Sequence, residues 1–242
     1  MLQVIDESST RADLAQRRET KYVLKGISLE TLRSVLSMHA KQLIHNEVVS
    51  TVRSVYFDDL RWNAYYANVD GLGDRRKVRV RWYDQDLPGS SVFLEVKWRR
   101  NRLTGKRRMK LSLDGSFSEW SYRKWYQELL RVAPGEMLPE LLQYSEPKIL
   151  VEYRREHFVS SDGQLRCTLD YDLKFYDQTG RQFVSNLFPI RMPNFLVLEG
   201  KTPIGREREL KELFAPLTLR AERCSKYVLG CNVLGLVNGS CS

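Results

Sequence analysis

Between residues 76 and 83 the chain alternates strictly, with Val78, Val80 and Trp82 on one side of an extended strand and Lys77, Arg79, Arg81 and Tyr83 on the other, because successive strand side chains point to opposite faces. Residues 91–98 repeat the division, setting Val92, Leu94, Val96 and Trp98 against Ser91, Phe93, Glu95 and Lys97. In 106–113, Arg107, Met109, Leu111 and Leu113 oppose Lys106, Arg108 and Lys110. Farther on, Leu165, Cys167 and Leu169 oppose Arg166, Thr168 and Asp170, and Leu196 and Leu198 oppose Glu199 and Lys201. A period of two in short segments calls for antiparallel strands with one apolar and one charged face.

The charged faces are mainly basic, and their acidic residues come as Glu-x-Lys pairs: Glu19/Lys21, Glu95/Lys97 and Glu199/Lys201. Each pair sets a carboxylate and an ammonium about 7 Å apart on one strand face. A single strand of this kind reads most simply as half of an amphipathic sheet with its charges in water. Taken together, the strands favour another arrangement, because helices need the apolar faces and leave the charged faces to close around each other. A barrel with a charged lumen meets both demands. Arg79 and Arg81 at that spacing repel by about 0.6 kcal/mol in water and roughly 2 to 3 kcal/mol at an effective dielectric of 20, so a bound polyanion would relieve such an interior.

Helices interrupt the strands. Ser28 is placed to cap a helix carrying Leu29, Leu32, Val35 and Leu36 on one face. A short helix is expected from near Leu60, a third over about 118–131 with Trp125 and Leu129 on its apolar stripe, and a last one over about 217–229. Gly and Pro fall at short turns such as Leu87-Pro88-Gly89 and Ala133-Pro134-Gly135, with no linker or repeat between them, so the 242 residues are expected to form a single domain, 1–242. A hydrophobic fraction of 42% with 11% aromatics supports a packed core.

A formal charge of +9 favours an anionic partner. Residues 1–18 carry no apolar stretch of signal-peptide length, and no run of about 18 apolar residues occurs, so a cytoplasmic setting is expected. Cys167, Cys224, Cys231 and Cys241 lack paired zinc-site spacing and read as reduced thiols. His39, His45 and His157 are too scattered for a metal or nucleophile constellation. No helix-turn-helix or zinc-finger pattern is present, and nucleic acid is not expected as a partner.

In chain order, Arg18-Glu19-Thr20-Lys21-Tyr22, Ser54-Val55-Tyr56-Phe57-Asp58, Arg79-Val80-Arg81-Trp82-Tyr83, Phe93-Leu94-Glu95-Val96-Lys97, Tyr153-Arg154-Arg155 with Phe158, Arg166-Cys167-Thr168-Leu169-Asp170, Leu198-Glu199-Gly200-Lys201 and Ser225-Lys226-Tyr227 resemble the successive motifs of the VTC domain. That family is the polyphosphate polymerase branch of the triphosphate tunnel metalloenzymes, within the CYTH-like superfamily. The resemblance implies an α+β fold: an antiparallel β-barrel tunnel flanked by helices. It also implies transfer of the γ-phosphoryl group of ATP to a growing inorganic polyphosphate chain, assisted by Mn²⁺ or Mg²⁺.

Carried over by motif, Lys21, Arg79, Arg81, Lys97, Arg155, Arg166 and Lys226 would act on the reacting phosphates. Glu19, Tyr56, Lys106, Arg108 and Lys201 would bind substrate, and Glu199 with Glu95 would hold the metal. Near Lys106 the match is loose, and strand parity selects Lys106 and Arg108 over Arg107. Hydrolytic relatives open with Glu-x-Glu-x-Lys, whereas this chain has Arg17 first, which leans away from simple triphosphate hydrolysis. A tunnel triphosphatase and a non-catalytic polyphosphate-binding module stay open as alternatives. Eukaryotic relatives work in membrane complexes, so the resemblance leaves room for a membrane-protein partner and sets no oligomeric state. By residue pattern alone Lys226 would be a solvated helix lysine, and Arg206, Arg208, Arg220 and Arg223 are expected to face solvent.

Overall fold

The computed structural model describes residues 2–5, 17–44, 47–101, 103–217 and 219–237. His45 and Cys241 lie outside the described residues, as does the side chain of Arg17. The strands are β1 (Leu2–Ile5), β2 (Arg17–Leu24), β3 (Ala40–Gln42), β4 (Ser50–Asp58), β5 (Asp74–Tyr83), β6 (Ser91–Arg100), β7 (Leu103–Leu113), β8 (Glu146–Ser160), β9 (Arg166–Asp177), β10 (Ile190–Met192) and β11 (Leu196–Pro203). The helices are α1 (Leu29–His39), α2 (Asn63–Val69), α3 (Tyr122–Val132), α4 (Leu138–Gln143), α5 (Glu207–Leu213) and α6 (Lys226–Val233).

The strands form one antiparallel sheet in the order β1-β7-β6-β5-β4-β8-β9-β11-β2, with β10 added to β9 and β3 to β8. This corrects the barrel expectation: the sheet is open, because no ladder joins β2 to the β1–β7 end among the described residues. It is nevertheless curled. β6 and β2 stand six places apart in the order, which in a flat sheet would be about 29 Å, yet the charges of Glu19 on β2 and Lys97 on β6 act on each other. A segment outside the named strands crosses the charged face from β2 to β5. Ala221 bridges to Tyr22 on β2, and Glu222 donates its backbone N–H to the Lys21 carbonyl. Lys77 on β5 donates to Ser225 Oγ at 2.9 Å.

Alternation puts the aliphatic residues where the sequence placed them. Val80, Val92 and Leu111 pack under Trp125 and Leu129 of α3, whose N-terminus is capped by Ser121. Burying side chains of this size contributes about 1.5–3 kcal/mol each. On the other half of the sheet, Leu32 and Leu36 of α1 and Leu210 and Leu213 of α5 join Leu169, Leu196 and Leu198 in a second cluster. Ser28 caps α1 as expected, accepting from the Thr31 N–H at 3.1 Å. The short second helix begins at Asn63 rather than near Leu60, where Asp58 takes the N–H groups of Ala64 and Tyr65.

The last helix departs most from expectation. It runs from Lys226 to Val233, not over 217–229, because Ser225 is its cap and accepts from the Val228 N–H. It also sits on the charged face instead of flanking the sheet from outside. Ile149 pairs with Tyr56 and Phe175 with Val151, so both belong to the face that carries Arg79, and α6 packs on them through Gly230. A Cβ there would stand 2.5 Å from Phe175 and 2.6 Å from Ile149. Gly230→Ala is therefore expected to lower stability by about 1–3 kcal/mol through overpacking, measured by denaturant titration. An unchanged midpoint would show that α6 is not held by this contact.

Candidate functional site

The charged face gathers around three buried carboxylates. Glu95, with no exposed surface, lies opposite Arg79 on one side and Arg108 on the other. Arg79 Nε donates to it at 2.7 Å and a second Arg79 nitrogen also reaches it. Lys106 Nζ donates at 2.5 Å, and Arg108 and Arg81 stand at 3.3 and 3.8 Å. Arg79 further donates to the Tyr56 hydroxyl at 2.9 Å, while Arg81 donates to Ser54 Oγ at 3.0 Å and the Tyr153 hydroxyl at 3.3 Å. Arg107 turns to the opposite face and Glu136, so Lys106 and Arg108 share the charged face and Arg107 does not, as strand parity placed them.

The second carboxylate, Asp170, accepts both nitrogens of the Arg155 fork at 2.6 and 2.7 Å and Lys226 Nζ at 2.6 Å. Lys226 is thus the first residue of α6 and a buried partner of β9, not a solvated lysine. The third, Glu199, lies opposite Lys21 and beside Lys201 in the β2–β11 ladder. Lys201 is 2.9 Å away and Lys21 3.5 Å. Glu19 shares the same two ammoniums, at 3.1 Å from Lys21 and 4.0 Å from Lys201. On the neighbouring strand β9, Arg166 stands opposite Lys201 and Thr168 opposite Glu199. Arg166 Nε and Thr168 Oγ1 are buried without a hydrogen-bond partner.

Titration follows from this crowding. Burial pushes the Glu199 carboxyl up, but Lys201, Lys21, Arg155 and Lys97 outweigh it and hold the group well below the usual carboxylate range. Glu95 behaves likewise under Arg79, Arg81 and Lys106. Burial also raises Asp170, and Arg155 and Lys226 bring it down to about 2. Lys77 and Lys97 face each other across β5 and β6. Burial lowers Lys77 to about 7 against the pull of Tyr56, with Lys21, Lys97 and Arg79 adding to the fall. Burial lowers Lys97 to about 8, and its ammonium has no hydrogen bond among the described residues. Lys106 falls to about 7, chiefly by burial, but 34% of its side chain reaches solvent, whereas Lys77 and Lys97 are half-buried. Tyr56 is raised by burial and pulled by Arg79 and Arg81 to about 7.

Cations here outnumber the carboxylates they meet. Lys77 and Lys97, directly opposite each other on adjacent strands, repel when both are charged, and the unpartnered Arg166 and Thr168 atoms add unmet hydrogen-bonding capacity. The arrangement suits an anion with several oxygens, above all a chain of phosphates.

The sequence model of the VTC domain matches residues 16–235. The chain belongs to the VTC domain family. No curated protein matches its sequence. Among solved structures it is similar to "Structure of PH1819 protein from Pyrococcus Horikoshii OT3", at 13% identity and a TM-score of 0.47, over 90% of this chain and 98% of that one.

Of the site residues carried over to this VTC domain, the structure brings Lys21, Glu19, Glu199 and Lys201 into one cluster, Arg155 and Lys226 together on Asp170, to which the motifs assigned no role, and Tyr56, Arg79, Arg81, Glu95, Lys106 and Arg108 into a third. Lys97 feels the charges of Glu19, Arg79, Glu199 and Lys21, which joins the first cluster to the third. For a hard divalent cation, one or two carboxylates suffice when phosphate oxygens and water complete the shell. Glu199 fits that role with Glu19, whose carboxyl feels its charge. Glu95 meets four cations with no second carboxylate among the described residues sharing them, whereas Glu199 and Glu19 share Lys21 and Lys201 between them. No group of three or more metal-ligating side chains occurs among the described residues. Sequence reasoning placed Lys77 on the charged face without assigning it a role, and it missed Ser54, Tyr153 and Ser225. Lys77 was findable from its parity with Arg79, while the others depend on cross-strand register.

Glu95→Gln is expected to destabilise the ligand-free protein by about 3–5 kcal/mol, since it strands buried cations, while Mn²⁺ affinity stays unchanged. A normal melting temperature combined with lost Mn²⁺ binding would instead make Glu95 a metal ligand. The lowered lysines predict that binding of tripolyphosphate takes up protons at pH 8, because an anion restores the charge that Lys77 has lost and Lys97 is losing. Affinity should then fall about tenfold or more from pH 7 to 9. Calorimetry in buffers of different ionisation enthalpy reads the uptake, and zero uptake would refute the assignment.

Proposed function

We propose that this VTC domain is a polyphosphate polymerase that transfers the γ-phosphoryl group of ATP to the end of an inorganic polyphosphate chain. The observation that carries this reading is the concave basic face with its unpartnered buried donors on β9, Arg166 Nε and Thr168 Oγ1, which lie beside the Glu19–Glu199 carboxylates that fit a metal. Family membership supports a polyphosphate-related role.

Phosphoryl transfer asks for alignment and neutralisation more than for covalent help from the protein. In the proposed reaction a terminal phosphate oxygen of the chain attacks the γ-phosphorus. The bond from that phosphorus to the β-bridging oxygen breaks, and ADP leaves with the electron pair. The attacking oxygen is already anionic, so no general base is required. Arg79, Arg81, Arg155 and Arg166 offer planar forks to phosphate oxygens, and Lys21, Lys97, Lys201 and Lys226 offer point charges. Lys106, Arg108 and Tyr56 hold the Glu95 end of the face. Mn²⁺ or Mg²⁺, when bound at Glu199 and Glu19, would supply neutralisation of the developing negative charge.

No helix among the described residues is long and apolar enough to cross a membrane. A cytoplasmic setting and a membrane-protein partner belong to the proposal.

Incubated with ATP and Mn²⁺, the purified chain should accumulate polymer together with ADP, with little free phosphate. Equal amounts of ADP and free phosphate without polymer would identify a triphosphatase, and phosphate-chain binding with no turnover under any divalent metal would leave only a binding module. Glu199→Gln should reduce turnover by at least about 10²-fold, the scale of losing one electrostatic contact to the transition state, and full turnover would remove Glu199 from the metal site.

A further inference from the structure

The basic face does not end at Lys77 and Lys97. β5 starts at Asp74, earlier than its alternation suggested, and Arg75 has the parity of Lys77, Arg79 and Arg81. It lies directly opposite Arg99 of β6, as Lys77 lies opposite Lys97 and Arg79 opposite Glu95. A third guanidinium comes from the segment that crosses between β2 and β5. Arg223 lies over Gly71, where a Cβ would stand 2.9 Å from Arg223 Nη1, so the missing side chain at Gly71 leaves room for it. Two residues later, Ser225 accepts from Lys77, which fixes this segment beside the charged face.

Burial lowers the Arg75 guanidinium, and the charges acting on it are those of Arg99 and Arg223. None of the three has a carboxylate partner among the described residues. Arg99 donates Nε to the Asn101 carbonyl at 2.7 Å, and Asp74 pairs with Arg76. Arg99 and Arg223 are exposed and Arg75 is half-buried. The rung at Arg79 carries a carboxylate, the rung at Lys77 none, and the rung at Arg75 ends in three unneutralised guanidiniums at the solvent edge.

We propose that Arg75, Arg99 and Arg223 form a separate anion subsite at the mouth of the basic face, which holds the flanking phosphates of a long polyphosphate chain and is out of reach of a triphosphate bound at Arg79 and Arg81. Arg75 is four residues from Arg79 along β5, about 14 Å, a span that two P–O–P bridges do not cover. Guanidinium forks match bare phosphate oxygens, so the occupant is a linear inorganic polyphosphate rather than the nucleoside end of a nucleotide.

This subsite rests on the polyphosphate reading above, and the test separates the two. Arg99→Gln/Arg223→Gln, at exposed positions, is compared with Arg99→Lys/Arg223→Lys in the full chain, with melting temperatures checked. Long-chain polyphosphate affinity should fall about tenfold in the glutamine variant, with tripolyphosphate and ATP affinity unchanged and the lysine variant, which keeps the charge and loses the fork, between the two. The salt slope of long-chain binding should shrink by about 0.7 per guanidinium removed. Unchanged long-chain affinity, equal loss for tripolyphosphate, or loss for ATP alone would overturn the subsite. Wild-type protein that binds long chains tightly but makes no polymer would sink the polymerase reading and leave the subsite standing.

Discussion

A carboxylate cut off from water needs opposite charge around it, and Glu95 obtains it from Arg79, Arg81, Lys106 and Arg108, drawn from β5 and β7 on either side of its own strand. Asp170 does the same for β8, β9 and α6 through Arg155 and Lys226, and Glu199 for β2 and β11 through Lys21 and Lys201. Each carboxylate therefore ties together elements that are adjacent in space and distant in sequence. Removing one partner of a buried pair costs more than the pair contributes, so these groups are constrained by the fold as strongly as any core leucine.

The same carboxylates are too few. Lys77, Lys97 and the Arg166 Nε are left with charge or donors that the protein does not satisfy. A polar interior under such tension is kept in place by its surroundings: the apolar outer face under α3 on one half and under α1 and α5 on the other. Helix α6 closes over the charged face itself. Its Gly230 face packs on Ile149 and Phe175, while Tyr227 stacks on Tyr56 and donates to Asp58 at 2.6 Å, and Lys226 reaches Asp170.

Much of this was legible from alternation. Parity assigned Arg79, Arg81, Glu95, Lys97, Lys106, Arg108, Arg166 and Glu199 to one face, and that face is where they lie, because a strand leaves a side chain only two directions. The helix at the end was misplaced because the residues before Lys226 carry an apolar spacing that resembles a helix. Ser225 decides its start through a cap that spacing alone does not reveal. Closure of the sheet was expected from the need to enclose charge. The chain meets that need by curling an open sheet and laying residues 221–225 across from β2 to β5.

What the sequence determined by itself is which side chains share a face, since the two-residue period of a strand is a local property. What only the tertiary structure decided is which charges meet. Glu19 rather than Glu95 stands beside Glu199, Lys226 is buried against Asp170, and Arg223 joins Arg75 and Arg99. Those neighbours depend on strand order, register and the curl of the sheet, which arise from packing between segments far apart in the chain.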